Sequence, residues 1–168
     1  MRPDAAGAEA TGRPPFERVV AAHGAVVWRV CRALLPEHDA EDAWSETFLA
    51  ALRAWPALDP DAHVRGWLVT IAHRKALDLL RARARAAVPT DDLPDRPSTR
   101  GVPDARDLDL WAGLAALPGR QREAVVQHHL GGLPFAEIAR LTGSTPAAAR
   151  KAASDGVQRL RALLKEES

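Results

Sequence analysis

The stretch PFAEIARLTGSTPAAARKAASDGVQRLR, residues 134–161, decides what kind of fold this chain adopts. A short apolar-periodic segment reaches Thr142 and stops at Gly143, a residue able to take the left-handed conformation that closes a helix. Thr145 stands where a side-chain oxygen can cap the next helix, and Pro146 fits its first position. Two helices joined by a short glycine-containing turn form a helix-turn-helix. On the second helix Ala149, Ala153, Gly156, Val157, Leu160 and Leu164 fall inward, and Ala147, Arg150, Lys151, Ser154 and Gln158 fall outward together. Small, cationic and amide groups on one face suit a major groove and its phosphates. A plain helical hairpin with a solvated basic face fits the same pattern, and this segment alone leaves both readings open.

Working outward, the remainder is helical too. The 168 residues are 46% hydrophobic and 27% charged, which is globular, and suffice for one domain or two small ones. Thirteen prolines and no long β-branched alternation argue against a sheet. Phe16, Val19, Val20, Val27, Val30 and Leu34 give a first helical period, which Pro36 stops. A second helix is predicted over 39–55, with Phe48, Leu52 and Trp55 on its apolar face, and PALDPDA (56–62) breaks it. A third, over 64–85, is apolar nearly all round in its first half and belongs in the middle of a bundle; its RARARA end reads as solvated. Residues 88–105 read as a linker, followed by helices near 108–117, 120–130, 134–142 and 146–164.

The expected fold is therefore all-α, with two small helical domains on a flexible linker. The boundaries are a disordered tail at 1–14, a first domain at 15–87, a linker at 88–106 and a second domain at 107–168. On such a tether the domains should tumble semi-independently unless a partner clasps them.

A net charge of +1 hides segregation into acidic and basic blocks, which suggests separate docking surfaces, at least one for a polyanion. The acidic block HDAEDAWSETF occupies 38–48. At about 100° per residue, Asp39, Asp42 and Glu46 share one stripe with Leu49 and Arg53. A leucine edged by acids is wasted on a solubility face and useful on a docking face. His38-Asp39 resembles half of a metal-hydrolase pair, but His23, His63, His73, His128 and His129 lack the spacing of partner ligands. No GxSxG, HExxH or P-loop lysine occurs, so no catalytic residue, metal or cofactor is expected, and the chain reads as a non-enzyme. Cys31 is single, so no internal disulfide forms, and its apolar surroundings predict a buried thiol. No signal peptide or membrane span is apparent, which predicts a cytoplasmic protein without membrane insertion.

Two blocks are familiar as well as periodic. LPGRQREAVVQHHLGGLPFAEIARLTGSTPAAARKAASDGVQRLR resembles region 4 of sigma-70-family initiation factors, which reads the promoter −35 element. FERVVAAHGAVVWRVCRALLPEHDAEDAWSETFLAALRAW, followed by VRGWLVTIAHRKALDLLR, looks like region 2 of the same family. The order of the blocks, the absence of region 3 and the short linker are similar to the extracytoplasmic-function group. The resemblance implies an alternative sigma factor that binds core RNA polymerase and selects promoters. Its partners would be the polymerase β′ coiled coil and β flap, promoter DNA and an anti-sigma factor.

Carried over residue by residue, the resemblance implies polymerase docking by Asp39, Asp42, Glu46, Leu49 and Arg53. It implies −10 recognition by Asp59, His63, Arg65, Thr70, Arg74, Lys75 and Arg81. The −35 set is Thr145, Ala147, Arg150, Lys151, Ser154 and Gln158. This chain departs from the family at Ser45, where a Gln is usual, and at Arg74, where many relatives carry Asn. In place of the usual VKSR it has Ala149-Arg150-Lys151-Ala152, and Asp155 replaces a common Arg. One cation fewer and one anion more imply a weakened −35 contact set.

Overall fold

The computed structural model describes residues 12–86 and 105–166, with side chains from 110 onward in the second stretch. Most of the expected tail and nearly all of the expected linker lie outside the described residues. Helix α1 is Phe16–Leu34, α2 Glu37–Ala54 and α3 Val64–Ala86, with a 3-10 turn at Trp55–Ala57. In the second half α4 is Ala105–Ala116, α5 Gly119–Val125, α6 Phe135–Thr142 and α7 Pro146–Glu166. Helix α5 runs on as a π-helical segment, Val126–Leu130, which no apolar spacing announces. No strand occurs among the described residues.

In the first half α1, α2 and α3 pack on one another. Val27, Val30 and Cys31 of α1, Ala40, Ala43, Thr47 and Ala51 of α2, and Leu68, Val69, Ala72 and Ala76 of α3 are all buried to 1% exposure or less. Alanines on the facing sides of α2 and α3 let the helices approach closely. Two ion pairs set their antiparallel register. Arg83 Nε lies 2.6 Å from Asp39 Oδ2, and Lys75 Nζ 3.9 Å from Glu46 Oε2. The basic end of α3 is therefore not purely solvated, because Arg83 ties it to the start of α2. The Asp39 side chain is 8% exposed and the Arg83 side chain 56%. Arg83→Ala would strand a nearly buried carboxylate, so a loss of about 1–3 kcal/mol is expected by urea denaturation. An unchanged midpoint and slope would show the pair to be incidental.

Cys31 is fully buried, and burial pushes its thiol up to about 12, which suits packing and not redox chemistry. Before α1, Arg13 sits over the Trp55 ring at 5.5 Å and donates to the Trp55 carbonyl, so the last part of the expected tail packs on the bundle. Trp44 donates its indole N–H to the Gly24 carbonyl at 3.0 Å, fixing α2 across α1.

His73 is 2% exposed, its Nε2 has no hydrogen-bond partner, and its pKa is lowered to about 4 by burial first and by Arg74 and Arg81 next. The unfolded chain takes up this proton near its ordinary 6.5 while the folded chain refuses it until about 4. The stability of the neutral form is present in full above the unfolded value and is lost as pH falls through this window. A pH series of melts from 7 to 4.5 should show a loss on the order of 2–3 kcal/mol that His73→Gln abolishes. Identical pH slopes in both proteins would exclude His73 as the source.

The two helical domains pack on one another. Helix α1 also packs against α4, α5 and the π-helical segment. One buried cluster runs from Val19, Val27 and Val30 through Leu68 and Val69 to Leu114, Leu117, Val125, Val126 and Leu133. Composition predicts a tether between residues 88 and 105, but only long-range packing could reveal that α1 serves both halves.

Candidate polymerase and nucleic-acid surfaces

Helix α2 presents Asp42, Glu46, Leu49 and Arg53 to solvent as one stripe. Leu49 is 47% exposed, and Leu52, one turn around, is 50% exposed. Leu52 was expected on the packed face; it lies on the outward side of α2 instead, while Ala51 beside it is buried and Trp55 after it packs on Phe16 and Trp67. Asp39 departs from the docking stripe, because burial and Arg83 hold its carboxylate inward. The outward surface is thus two leucines rimmed by two carboxylates and a guanidinium.

On the α3 side, the chain enters the helix through an Asx turn in which Asp59 Oδ1 accepts the Asp61 amide at 2.9 Å. His63 Nδ1 accepts the Gly66 amide at 3.3 Å and His63 O that of Trp67, so His63 caps α3. Thr70 returns its hydroxyl to Gly66 O at 2.9 Å. A cleft of about 420 Å³ opens among His63, Trp67, Thr70, Ile71 and Arg74, closed on one side by Glu137 of α6. Of the seven expected −10 residues, His63, Thr70 and Arg74 meet here. Arg65 does not; its Nη2 donates to Leu130 O at 2.6 Å. Lys75 faces Glu46, and Arg81 lies 3.9 Å from Asp78 on exposed surface.

The helix-turn-helix forms as its turn chemistry dictates. Gly143 takes φ 64°, ψ 34°, and the Ser144 amide reaches back to Ala139 O at 2.9 Å. Thr145 Oγ1 accepts the Ala148 amide at 3.1 Å, and α7 begins at Pro146. Thr145 therefore spends an acceptor on the cap. Ala147, Arg150, Lys151, Ser154 and Gln158 are all exposed, and Ala149, Ala153 and Gly156 are buried. A Cβ on Gly156 would meet Val125 Cγ2 at 2.6 Å, so α7 crosses α5 there only because glycine is present.

Two features of this face escape the motif. Lys151 Nζ lies 2.7 Å from Asp155 Oδ2, so one expected cation is partly neutralised along its own helix. The spacing i, i+4 could have announced the pair. The second is a support beneath Arg150. The His128 ring stacks on Phe135 at 4.1 Å, and the Arg150 guanidinium lies over Phe135 at 5.4 Å. His128 Nδ1 lies 2.9 Å from Leu133 O, which fixes it as a donor there. His129 and Arg161 border the same concavity, and burial first, then His128 and Arg161, lower the His129 pKa. Among the described residues no group of His, Cys, Asp and Glu could hold a metal ion, and no helix is long and apolar enough to cross a membrane.

Residues 19–86 match the family Sigma-70 region 2, and residues 107–160 match Sigma-70, region 4. The chain is 35% identical to the ECF RNA polymerase sigma factor ShbA of Streptomyces griseus, covering 82% of this chain and 81% of that one. It is 36% identical to the RNA polymerase sigma factor CarQ of Myxococcus xanthus, over 76% of this chain and 75% of that one. Among solved structures it is similar to CnrH in complex with the cytosolic domain of CnrY, at 28% identity and a TM-score of 0.64, over 91% and 89% of the two chains. CnrH is known from Cupriavidus metallidurans. The fold is also that of the sigma factor RpoE bound to the anti-sigma factor NepR, from Bartonella quintana, with a TM-score of 0.71 at 22% identity, over 89% and 96% of the two chains.

Proposed function

We propose a division of labour among three surfaces, on the premise that this chain belongs to the sigma-70 family, in its extracytoplasmic-function group. The chain is an alternative sigma factor: it binds core RNA polymerase and directs initiation at promoters through −10 and −35 recognition. It works in the cytoplasm and supplies recognition; bond-making stays with the polymerase.

The observation that carries the docking assignment is the exposed pair Leu49 and Leu52, rimmed by Asp42, Glu46 and Arg53. Apolar side chains at the centre with charges at the rim are the anatomy of a protein interface. The β′ coiled coil is the partner that the family relationship assigns to this face, and the β flap the one for the second half. Asp39 acts from behind, clamping α2 to α3.

For the −10 element, the cleft between His63, Thr70 and Arg74 has the volume and the single cation suited to an unstacked base beside its phosphate. Asp59 shapes the loop before it, Arg74 is the cation at the cleft, and Lys75 and Arg81 lie farther along α3 beside Glu46 and Asp78, while Arg65 is tied to Leu130 O. For the −35 element Arg150, Lys151, Ser154 and Gln158 enter the groove, with Phe135 and His128 bracing Arg150. An anti-sigma partner is supported by the likeness to CnrH, solved with the cytosolic domain of CnrY. A regulator acting without polymerase would share the helix-turn-helix but has no use for the leucine pair of α2.

In vitro transcription with core polymerase on a genomic library tests the whole assignment. Discrete new start sites sharing two elements are expected. Transcripts identical to those of core polymerase alone would overturn it.

A further inference from the structure

Resting on that reading, we propose that the concavity between the π-helical segment and α7 is a phosphate site. Its occupant is a DNA backbone phosphate flanking the −35 element, and His128 and His129 tighten the grip as they take up protons.

The charged groups of the concavity are all of one sign. It measures about 310 Å³, with His128 and His129 on one side and Arg150, Ser154, Gln158 and Arg161 on the other. The four α7 residues follow at i, i+4, i+8 and i+11, one stripe of one helix. No carboxylate lines it. Neither arginine is in an ion pair among the described residues, whereas Lys151 on the next stripe is held by Asp155. Two uncommitted guanidiniums with a hydroxyl and an amide between them suit a compact oxyanion, whose oxygens they can grip in forked pairs.

The π-helical turn explains why two imidazoles reach the same hollow. Consecutive residues of an α-helix diverge by about 100°. The wider winding of Val126–Leu130 narrows that angle, and the two rings stand 4.9 Å apart, edge to face. Single π turns of this kind concentrate at functional sites. His128 is held in place, because its Nδ1 donates to Leu133 O at 2.9 Å and its ring stacks on Phe135 at 4.1 Å. Neutral His128 therefore keeps its proton on Nδ1 and has a lone pair at Nε2, which a second proton turns into a donor.

His129 couples the site to pH. Burial first, then His128 and Arg161, lower its pKa, so its charged form is disfavoured in the free chain. The groups around it that carry or can take charge are His128 on its own segment and Arg150 and Arg161 on α7. Helix α6 adds only the Phe135 ring, and α1, packed elsewhere on the segment, adds no lining residue. A phosphate seated among them reverses this field, since a nearby opposite charge favours the protonated imidazole. Phosphate binding and proton uptake are then linked, and affinity rises as pH falls through the imidazole range.

Filter binding of a promoter fragment to holoenzyme at 0.1 M salt tests this between about pH 8 and about pH 6, where imidazoles change charge. His129 is exposed, so His129→Gln leaves the core untouched. One protonated imidazole is worth one phosphate contact, so wild type should gain about eightfold more affinity than His129→Gln over this range. Its salt slope should also steepen by about 0.9 at the acid end, and that of His129→Gln should not. His129→Lys, permanently charged here, should bind about eightfold more tightly than His129→Gln at the alkaline end. Parallel pH profiles for wild type and His129→Gln, or a His129→Lys no tighter than His129→Gln, overturn the proposal. Inorganic pyrophosphate titrated into the free chain at constant ionic strength, followed by the imidazole NMR signals, separates the sources. Binding only in the millimolar range is expected; micromolar binding would give the site to a free phosphate compound and overturn the DNA role. Wild-type holoenzyme without promoter-specific binding at either pH would instead strike the sigma assignment beneath it.

Discussion

Leu49→Asp is expected to weaken core-polymerase binding by about 2–4 kcal/mol, on the order of 30- to 1,000-fold, with the fold intact. Leu49 is half exposed on α2, so the free protein loses little when its side chain becomes polar. In the complex the same position becomes the dry centre of an interface, and a carboxylate there would be desolvated without a partner. Leu52→Asp should act in the same direction, since its exposure is equal and its face adjacent. Glu46→Arg should do less. It sits at the rim, where an exposed charge is worth at most about 1 kcal/mol, and it also places a cation opposite Lys75. Fluorescence titration of labelled protein with core polymerase gives the three affinities, with melting curves as the control. Equal affinities for wild type and Leu49→Asp would remove α2 from the interface.

That this face could be read at all comes from its period. Asp42, Glu46, Leu49 and Arg53 lie within one stripe of a helix, and stripes are written in local spacing. Asp39 shares the stripe yet is buried, because its partner Arg83 comes from another helix 44 residues later. Periodicity gives direction around an axis; it does not say how far along the axis a neighbour reaches. Leu52 errs the other way, apolar in pattern and wet in fact, because it sits around the helix axis from the packed side that buries Ala51. The turn at Gly143 and the cap at Thr145 were legible to the residue, since both are dictated by three or four neighbours. The packing of Gly131 on Val69 was not, being set by positions 62 residues apart that no local rule connects.

Asp155→Arg is expected to raise promoter affinity of the holoenzyme by about 60-fold in 0.1 M salt, with the gain shrinking toward zero near 1 M. Two effects add. The present carboxylate holds Lys151 Nζ at 2.7 Å, so removing it frees a cation on the outward face of α7. The new guanidinium supplies another. Each added phosphate contact steepens the slope of log affinity against log salt by about 0.9, so two contacts give nearly two units. The fold should tolerate the change, because an exposed i, i+4 pair contributes only about 0.3–0.5 kcal/mol. Asp155→Ala separates the effects: it frees Lys151 without adding a charge, so its slope should steepen by about one and its affinity rise about eightfold at 0.1 M. Adding Lys151→Ala to that variant should return the slope to the wild-type value. Filter binding across a salt series with one promoter fragment measures all four proteins. If Asp155→Ala leaves both slope and affinity unchanged, Lys151 does not reach a phosphate. In that case Arg150, braced over Phe135 at 5.4 Å, carries the cationic part of −35 recognition alone.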